Sequence, residues 1–301
     1  PKTLSASLTG TIQKTYDGTT AATLSAANYS LSGFVTGEGA TVNQTAGLYN
    51  SSNVLSAQTV STTLASANFS ANNATRLTNY SLPTSAAGAG SILAKTLNVI
   101  YTGLDNVYDA IQKTYDGTTN ATLASGNYGI TGFVSGEGAS VTKTTGSYNS
   151  RNVRDVNSVT TSLIPTDFAP NARTLLTNYS LPTFASGAGS FGLRTLNVSY
   201  TGVNKVYDGG TAAAVITMDD RVSWDSLVIQ RTASFTDKNV AYDNANQVTA
   251  KAVHVMGVTL GGGDASNYSV SSTGAASAQI TPKYLVAGFR GVSKNYDGTP
   301  S

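Results

Sequence analysis

The chain has 301 residues and a formal net charge of +2; only 11% of its residues are charged and none is Cys. Its cations are not clustered, which excludes counterion-driven nucleic-acid binding, and no apolar run approaches the ~18 residues of a membrane span. Hydrophobic residues make up 40% and Tyr occurs 16 times, so a core is available, with small polar residues covering the surface in place of the usual Lys and Glu.

From the N-terminus, Lys2-Thr3-Leu4 opens a first unit, and Tyr16-Asp17-Gly18 begins 12 residues after Leu4. Gly37-Glu38-Gly39 reads as a further turn, and Thr78-Asn79-Tyr80-Ser81 stands near the end of the unit. Lys95-Thr96-Leu97 opens a second unit. There Tyr108-Asp109-Ala110 sits in register, yet a full Tyr115-Asp116-Gly117 follows seven residues later. The residues between read as an insertion after the first strand. Gly136-Glu137-Gly138 and Thr177-Asn178-Tyr179-Ser180 then return. Residues 12–99 align without a gap on 111–198, with 52 of 88 positions identical, so this is a duplication. A third, more divergent unit opens at Arg194-Thr195-Leu196 and keeps Tyr207-Asp208-Gly209 and Ser266-Asn267-Tyr268-Ser269. A fourth starts at Lys283-Tyr284-Leu285, reaches Tyr296-Asp297-Gly298 and is cut off. The expected modules are therefore 3–95, 96–194 and 195–283, with 284–301 a truncated start ending in a strand.

Runs suited to strands are short and frequent. Leu196-Asn197-Val198-Ser199-Tyr200 and Ala252-Val253-His254-Val255 alternate, and β-branched and aromatic residues dominate them. Turn signals such as Asp-Gly and Gly261-Gly262-Gly263-Asp264 punctuate the runs. Residues 121–125 suit one short helical turn at most. The expected fold is all-β: tandem antiparallel sandwich-like modules, Ig-like or β-grasp-related, in an elongated array. Ala278-Gln279-Ile280-Thr281-Pro282-Lys283 runs straight into Tyr284-Leu285-Val286 with no flexible linker, which restricts reorientation. Each module is expected to close its own core and to leave only small contacts with its neighbours.

The Tyr-Asp-Gly-Thr opening, the late Asn-Tyr-Ser and the closing Ile280-Thr281-Pro282-Lys283 resemble the YDG/MBG-type repeats of large filamentous-haemagglutinin-like adhesins. The third unit matches best, through Ala233-Ser234-Phe235-Thr236-Asp237-Lys238-Asn239-Val240 and Val258-Thr259-Leu260; the first two match at both ends and differ in the middle. The resemblance implies a two-partner-secreted adhesin of a Gram-negative bacterium, at the cell surface or secreted, with an outer-membrane secretion partner. It brings no catalytic or ligand residues.

The absence of Cys admits two readings. One is cytosolic life; the other is unfolded passage through an oxidising periplasm and an outer-membrane pore, where a disulfide would block threading. The composition favours the second. The opening Pro1-Lys2-Thr3, without initiator Met or leader, reads as a cut inside a longer polypeptide.

The recurring motif residues are the leading candidates: Tyr16, Asp17, Gly18; Tyr115, Asp116, Gly117; Tyr207, Asp208, Gly209; and Tyr296, Asp297, Gly298. An exposed Tyr would make a ligand-stacking platform. A packed Tyr beside a turn, with Asp bonding nearby backbone and Gly supplying φ, is the favoured alternative, because recurrence in every unit suits a fold requirement. His254 is the single His and reads as a surface residue; without clustered ligands no metal site forms, and no nucleophile motif supports a Ser–His–Asp arrangement. Trp224, the single Trp, lies beside Asp219, Asp220 and Asp225 and reads as a partly buried core or joint residue rather than a sugar platform. With Asp264, these carboxylates follow no calcium-loop pattern. The Gly-Glu-Gly steps lack the Lys-Ser/Thr of a phosphate loop and read as turns. Asn-x-Ser/Thr triplets at Asn28, Asn43, Asn50, Asn68, Asn73, Asn79, Asn120, Asn178, Asn197 and Asn267 are candidate glycan acceptors, though a chain this rich in Asn, Ser and Thr makes them by chance.

No enzyme, cofactor or metal is expected. The expected function is a stalk or spacer that supports cell attachment or a biofilm matrix. The alternative is direct binding of extracellular glycan or host or matrix polymer through many weak contacts. Few aromatics stand outside the repeated motifs, which favours the stalk.

Overall fold

The computed structural model describes residues 1–72, 75–101 and 110–300. Most of the proposed insertion, the Tyr108-Asp109 step and Asn73 lie outside these residues. The described chain is all-β: short strands joined by turns, with helical character confined to three-residue 3₁₀ turns such as Leu77–Asn79. It divides into two compact units. The first holds Pro1–Gln112, Thr119–Asn149 and Asn157–Ser190; the second holds Lys113–Thr118, Ser150–Val156 and Phe191–Ser301. Two tips of the second repeat, the Tyr115 turn and residues 150–156, thus belong with the third repeat.

In the first unit, repeat one is built on a four-stranded sheet in the order Ser85–Ala89, Thr59–Thr63, Ala46–Tyr49, Ala21–Thr23. Thr59–Thr63 alternates outward and inward, burying Val60 and Thr62. The inward hydroxyl of Thr62 donates to the Ala46 carbonyl at 2.6 Å, so a polar residue sits in the core without an unmet bond. Ser5–Leu8 pairs with Tyr29–Ser32, and Gly39–Val42 with Phe69–Asn72, both antiparallel. Repeat two places Asn120–Thr122, Thr145–Tyr148, Ser158–Ser162 and Phe184–Gly192 in the corresponding sheet.

The pairing is not wholly antiparallel. Lys2–Thr3 runs parallel to Tyr80–Ser81, Lys95–Thr96 to Tyr179–Ser180, and Gln13–Thr15 to Ser91–Leu93. The step that opens each repeat is therefore fastened beside the Asn-Tyr-Ser near its close. Strands of two residues carry no periodic signal, so this closure has no trace in the alternation pattern.

The second unit repeats the plan with longer strands. Val198–Val203 pairs with Ala214–Asp219, and Val228–Phe235, Lys251–Gly261 and Thr273–Ala278 form a three-stranded sheet. Arg194–Thr195 runs parallel to Tyr268–Ser269, and Lys205–Val206 to Ile280–Thr281. Val253, Val255 and Val258 are buried, so the inward side switches parity between 255 and 258. The switch falls at Gly257, whose φ of +65° sits where the register slips between Gln230 and Thr232. His254 faces outward, as its neighbours' burial requires.

No strand follows Thr281 among the described residues, and 282–300 is exposed. The expected terminal strand is thus not formed. In the other repeats the opening step pairs with an Asn-Tyr-Ser strand 74–84 residues further on, and the step at Lys283 has no such partner within these 301 residues.

Candidate functional site: the joint between repeats

Each Tyr-Asp-Gly motif first makes a turn. Lys14 Nζ meets Asp17 Oδ1 at 2.7 Å, and the same oxygen accepts the Thr19 amide and hydroxyl, both at 2.9 Å. Burial opposes ionisation of Asp17, but the Lys14 and Thr19 bonds outweigh it and hold the carboxyl below its usual range. Gly18 takes φ +81°, which Asp-Gly supplies without a Cβ penalty. Lys113 with Asp116, Lys205 with Asp208 and Lys294 with Asp297 repeat the ion pair at 2.7–2.9 Å.

At Tyr16 and Tyr115 the turn then aims its tyrosine out of its own repeat. In the first unit, the Tyr16 hydroxyl donates to Glu137 Oε1 at 2.6 Å. Tyr179 donates to Glu137 Oε2 at 2.8 Å and accepts the Val134 amide at 3.1 Å. The two rings meet edge to face with centroids 5.4 Å apart, and Phe133 packs on Tyr179 at 5.0 Å. One carboxylate from the Gly136-Glu137-Gly138 turn therefore holds a tyrosine from each repeat. A Cβ on Gly18 would stand 3.2 Å from Val134 Cγ1, so the turn lies flush against its neighbour. Burial, then the bond to Glu137, pushes the Tyr16 hydroxyl up to about 12. Burial chiefly takes Tyr179 up to about 12 as well.

A second lock joins the same two repeats. Asn178, 1% exposed, accepts the Val54 amide through Oδ1 at 2.9 Å and donates through Nδ2 to Asn53 Oδ1 at 3.1 Å. One hydrophobic cluster spans the joint, from Leu8, Ile12 and Val60 to Leu97 and Tyr179, with Phe133 and Val134 against it. The first repeat thus does not close its own core: its tip is sealed by the next repeat, which corrects the expectation of small contacts. The cause is size, since strands of three to five residues leave the end of a repeat uncovered.

The second unit builds the same joint from different residues. Tyr115 and Tyr268 both donate to Asp225 Oδ2, at 2.8 and 2.6 Å, with their rings 5.4 Å apart. Tyr268 also accepts the Val222 amide at 2.9 Å. Burial, then the bond to Asp225, raises both hydroxyls, Tyr268 to about 12. Asp is one methylene shorter than Glu; both donors share one oxygen, and the buried Oδ1 has no partner among the described residues. Asn267 accepts the Val153 amide at 2.9 Å and donates to Asn152 Oδ1 at 3.3 Å. An Arg151–Asp264 ion pair at 3.7 Å is added.

The motif residues therefore do two tasks, turn and joint, and the tyrosine is the joint's. Sequence reasoning left Glu137 as part of a turn and missed Asn53, Asn152 and Asp225 as partners. Trp224 is at the joint, over Gly117, where a Cβ would stand 3.2 Å from its ring, and it remains 58% exposed. Asn178 and Asn267 are buried with their amides engaged, so they cannot accept glycans; this corrects their candidacy. Asp219 pairs with Arg221, Asp220 with Asn197, and Asp264 bonds the Ser226 amide. Among the described residues no three of His, Asp or Glu are grouped to hold a metal, and no helix is long and apolar enough to cross a membrane.

No curated protein matches the chain. Among solved structures it is similar to the crystal structure of the I9-I11 tandem from titin, at 9% identity over 93% of this chain and 100% of that one, with a TM-score of 0.20. The YDG domain model matches residues 1–87, 94–186 and 193–276. These three matches take in each turn, carboxylate and Asn-Tyr-Ser that meet at the joints, and the chain belongs to the YDG domain family.

Proposed function

We propose that these repeats are stalk or spacer modules of a large secreted bacterial surface adhesin, supporting cell attachment or biofilm matrix and carrying no catalytic activity of their own. The observation behind this reading is the use of Tyr16 and Tyr115. A ligand platform needs an open ring face, whereas these rings are spent on fastening one repeat to the next. Repeats joined by two polar locks and no linker suit a spacer, whose reach depends on resisting reorientation. Secretion through an outer-membrane partner fits a chain without Cys, and contact with glycan or matrix polymer belongs in this proposal to other parts of the adhesin. Small-angle scattering on the 301-residue chain tests it. A single globule of this length has a radius of gyration of about 19 Å, and modules end to end give roughly 30 Å. A value near the globular figure overturns the spacer reading.

A further inference from the structure

Each repeat is closed by parallel pairing between strands near its start and strands near its end. In repeat one, Lys2–Thr3 runs beside Tyr80–Ser81 and Gln13–Thr15 beside Ser91–Leu93. The Leu4 amide donates to the Ser81 carbonyl at 3.0 Å, the Ser91 amide to Ile12 at 3.0 Å and the Tyr16 amide to Leu93 at 2.8 Å. Ile12, Tyr16 and Ile92 are all buried beside the second of these patches, so water has little access to its bonds. Repeat two keeps Lys95–Thr96 beside Tyr179–Ser180, and its Tyr115 amide donates to Gly192 at 2.9 Å. Repeat three has both patches, Arg194–Thr195 beside Tyr268–Ser269 and Lys205–Val206 beside Ile280–Thr281.

This topology decides what tension does. A pull on the two ends of a repeat draws its first strand toward the N-terminus and its last strand toward the C-terminus. Parallel strands drawn in this way slide along each other. Their bonds are evenly spaced and slanted along the strands, so sliding strains all of them together. Antiparallel neighbours drawn apart from one end lose their bonds one by one instead. The route from repeat to repeat is short: Ala94 alone separates Ser91–Leu93 from Lys95–Thr96, and Leu193 alone separates Phe184–Gly192 from Arg194–Thr195. Tension leaving the last strand of one repeat therefore enters the opening patch of the next with no slack between them.

We propose that each repeat is a tension-bearing element, whose parallel patches act as shear clamps between the strand by which the chain enters and the strand by which it leaves. The load comes from the proposed spacer role, on which this inference rests for its purpose but not for its mechanics. The centre of the sheet lies off the loaded route. The Thr62 hydroxyl bonded to the Ala46 carbonyl, for example, adds to the stability of repeat one without holding its entering strand to its leaving strand. Forced unfolding is governed by the unfolding rate, so resistance to tension and equilibrium stability can be separated by where a bond is removed.

Optical-tweezers pulling on the whole chain, held by its two ends, tests this. The chain has no Cys, so thiol handles can also be set at Thr45→Cys and Ala65→Cys, two exposed positions at the open end of the antiparallel pair Ala46–Tyr49 and Thr59–Thr63. Repeats held by the chain ends are expected to rupture at severalfold higher force than this pair peeled from its open end. Ser91→Pro removes the amide bonded to Ile12 and is expected to lower the rupture force of one repeat while the other ruptures stay unchanged. Thr62→Val is expected to lower the urea midpoint and to leave the rupture forces in place. If Ser91→Pro keeps repeat one from folding, its rupture event vanishes, and the comparison of the two handle positions decides. Equal forces in the two geometries overturn the proposal, as does a rupture force that Thr62→Val lowers and Ser91→Pro does not. Either of these outcomes beside an extended scattering result rejects the clamp alone and leaves the spacer reading standing.

Discussion

The Glu137 joint and the Asp225 joint perform one task with different side chains. Glu137 stands on a glycine-flanked turn and gives each tyrosine its own oxygen. Asp225 is shorter, more deeply buried and gives both tyrosines one oxygen. The arrangement of two tyrosines on one carboxylate, with a buried Asn beside it, survives the change of carboxylate, of flanking residues and of much of the repeat's middle. What the joint requires is a buried acceptor at one point in space, and the chain reaches that point from either length of side chain.

That comparison can be broken at its acceptor. Asp225→Ala leaves two buried hydroxyls without an acceptor, and the expected loss is about 3 kcal/mol, against about 2 kcal/mol for Glu137→Ala at the less buried site. Equilibrium urea unfolding of the whole chain measures both; equal losses would mean that burial does not set the difference. The turns give a second contrast. Ala at positive φ costs roughly 1–2 kcal/mol wherever it stands, so Gly209→Ala isolates that cost. Gly117→Ala adds a Cβ 2.8 Å from Val222 Cγ1, and the expected total is about 3 kcal/mol, with Gly18→Ala between the two. Melts of the three variants that coincide would detach the turn from the joint.

Alkali probes both joints together. The hydroxyls of Tyr16, Tyr179 and Tyr268 are raised to about 12 from an ordinary value of 10.0. The folded state therefore holds its protons longer than the unfolded state. The stability this represents is complete below pH 10 and is lost as pH rises through 12. Tyrosinate absorbance should show a late group of tyrosines whose ionisation coincides with loss of the β signal in circular dichroism. Ionisation of all tyrosines near pH 10 with the fold intact would contradict the buried locks. The smallest effect is expected at Lys14→Met. It removes an ion pair with an Asp17 whose side chain is 52% exposed, worth about 0.5 kcal/mol at low salt and less at high salt.

Much of the fold was legible beforehand. Alternation at Ala252–Val255 marked a strand, Asp-Gly marked each turn, and the 99-residue offset marked the duplication. The carboxylate of Asp17 bonds backbone as turn chemistry requires. The joint was not legible, for a physical reason. Recurrence shows that Tyr16, Glu137 and Asn178 are each needed once per repeat, but a tandem array has the same period whether a residue serves its own repeat or the next. Tyr16 reaches 121 residues to Glu137, and Asn178 reaches 125 to Asn53. The one available hint lay in the buried polar type: an Asn that returns in every unit beside a Tyr needs partners that its own short strands do not supply. At Asp225 even that hint is weaker, because the divergent third repeat replaces the Gly-Glu-Gly step altogether.

The tips of repeat two cluster with repeat three, and this makes the array a one-dimensional cooperative system with a direction. A repeat with a folded neighbour on its tip side has its tyrosine covered, as Tyr16 and Tyr115 are. Opening an interior repeat uncovers two interfaces, whereas opening a terminal one uncovers a single interface. Fraying is therefore cheapest at an end, and an interior repeat is protected by its neighbours from transient opening and from any protease that waits for it. Lengthening such an array adds interior repeats while leaving the number of vulnerable ends unchanged.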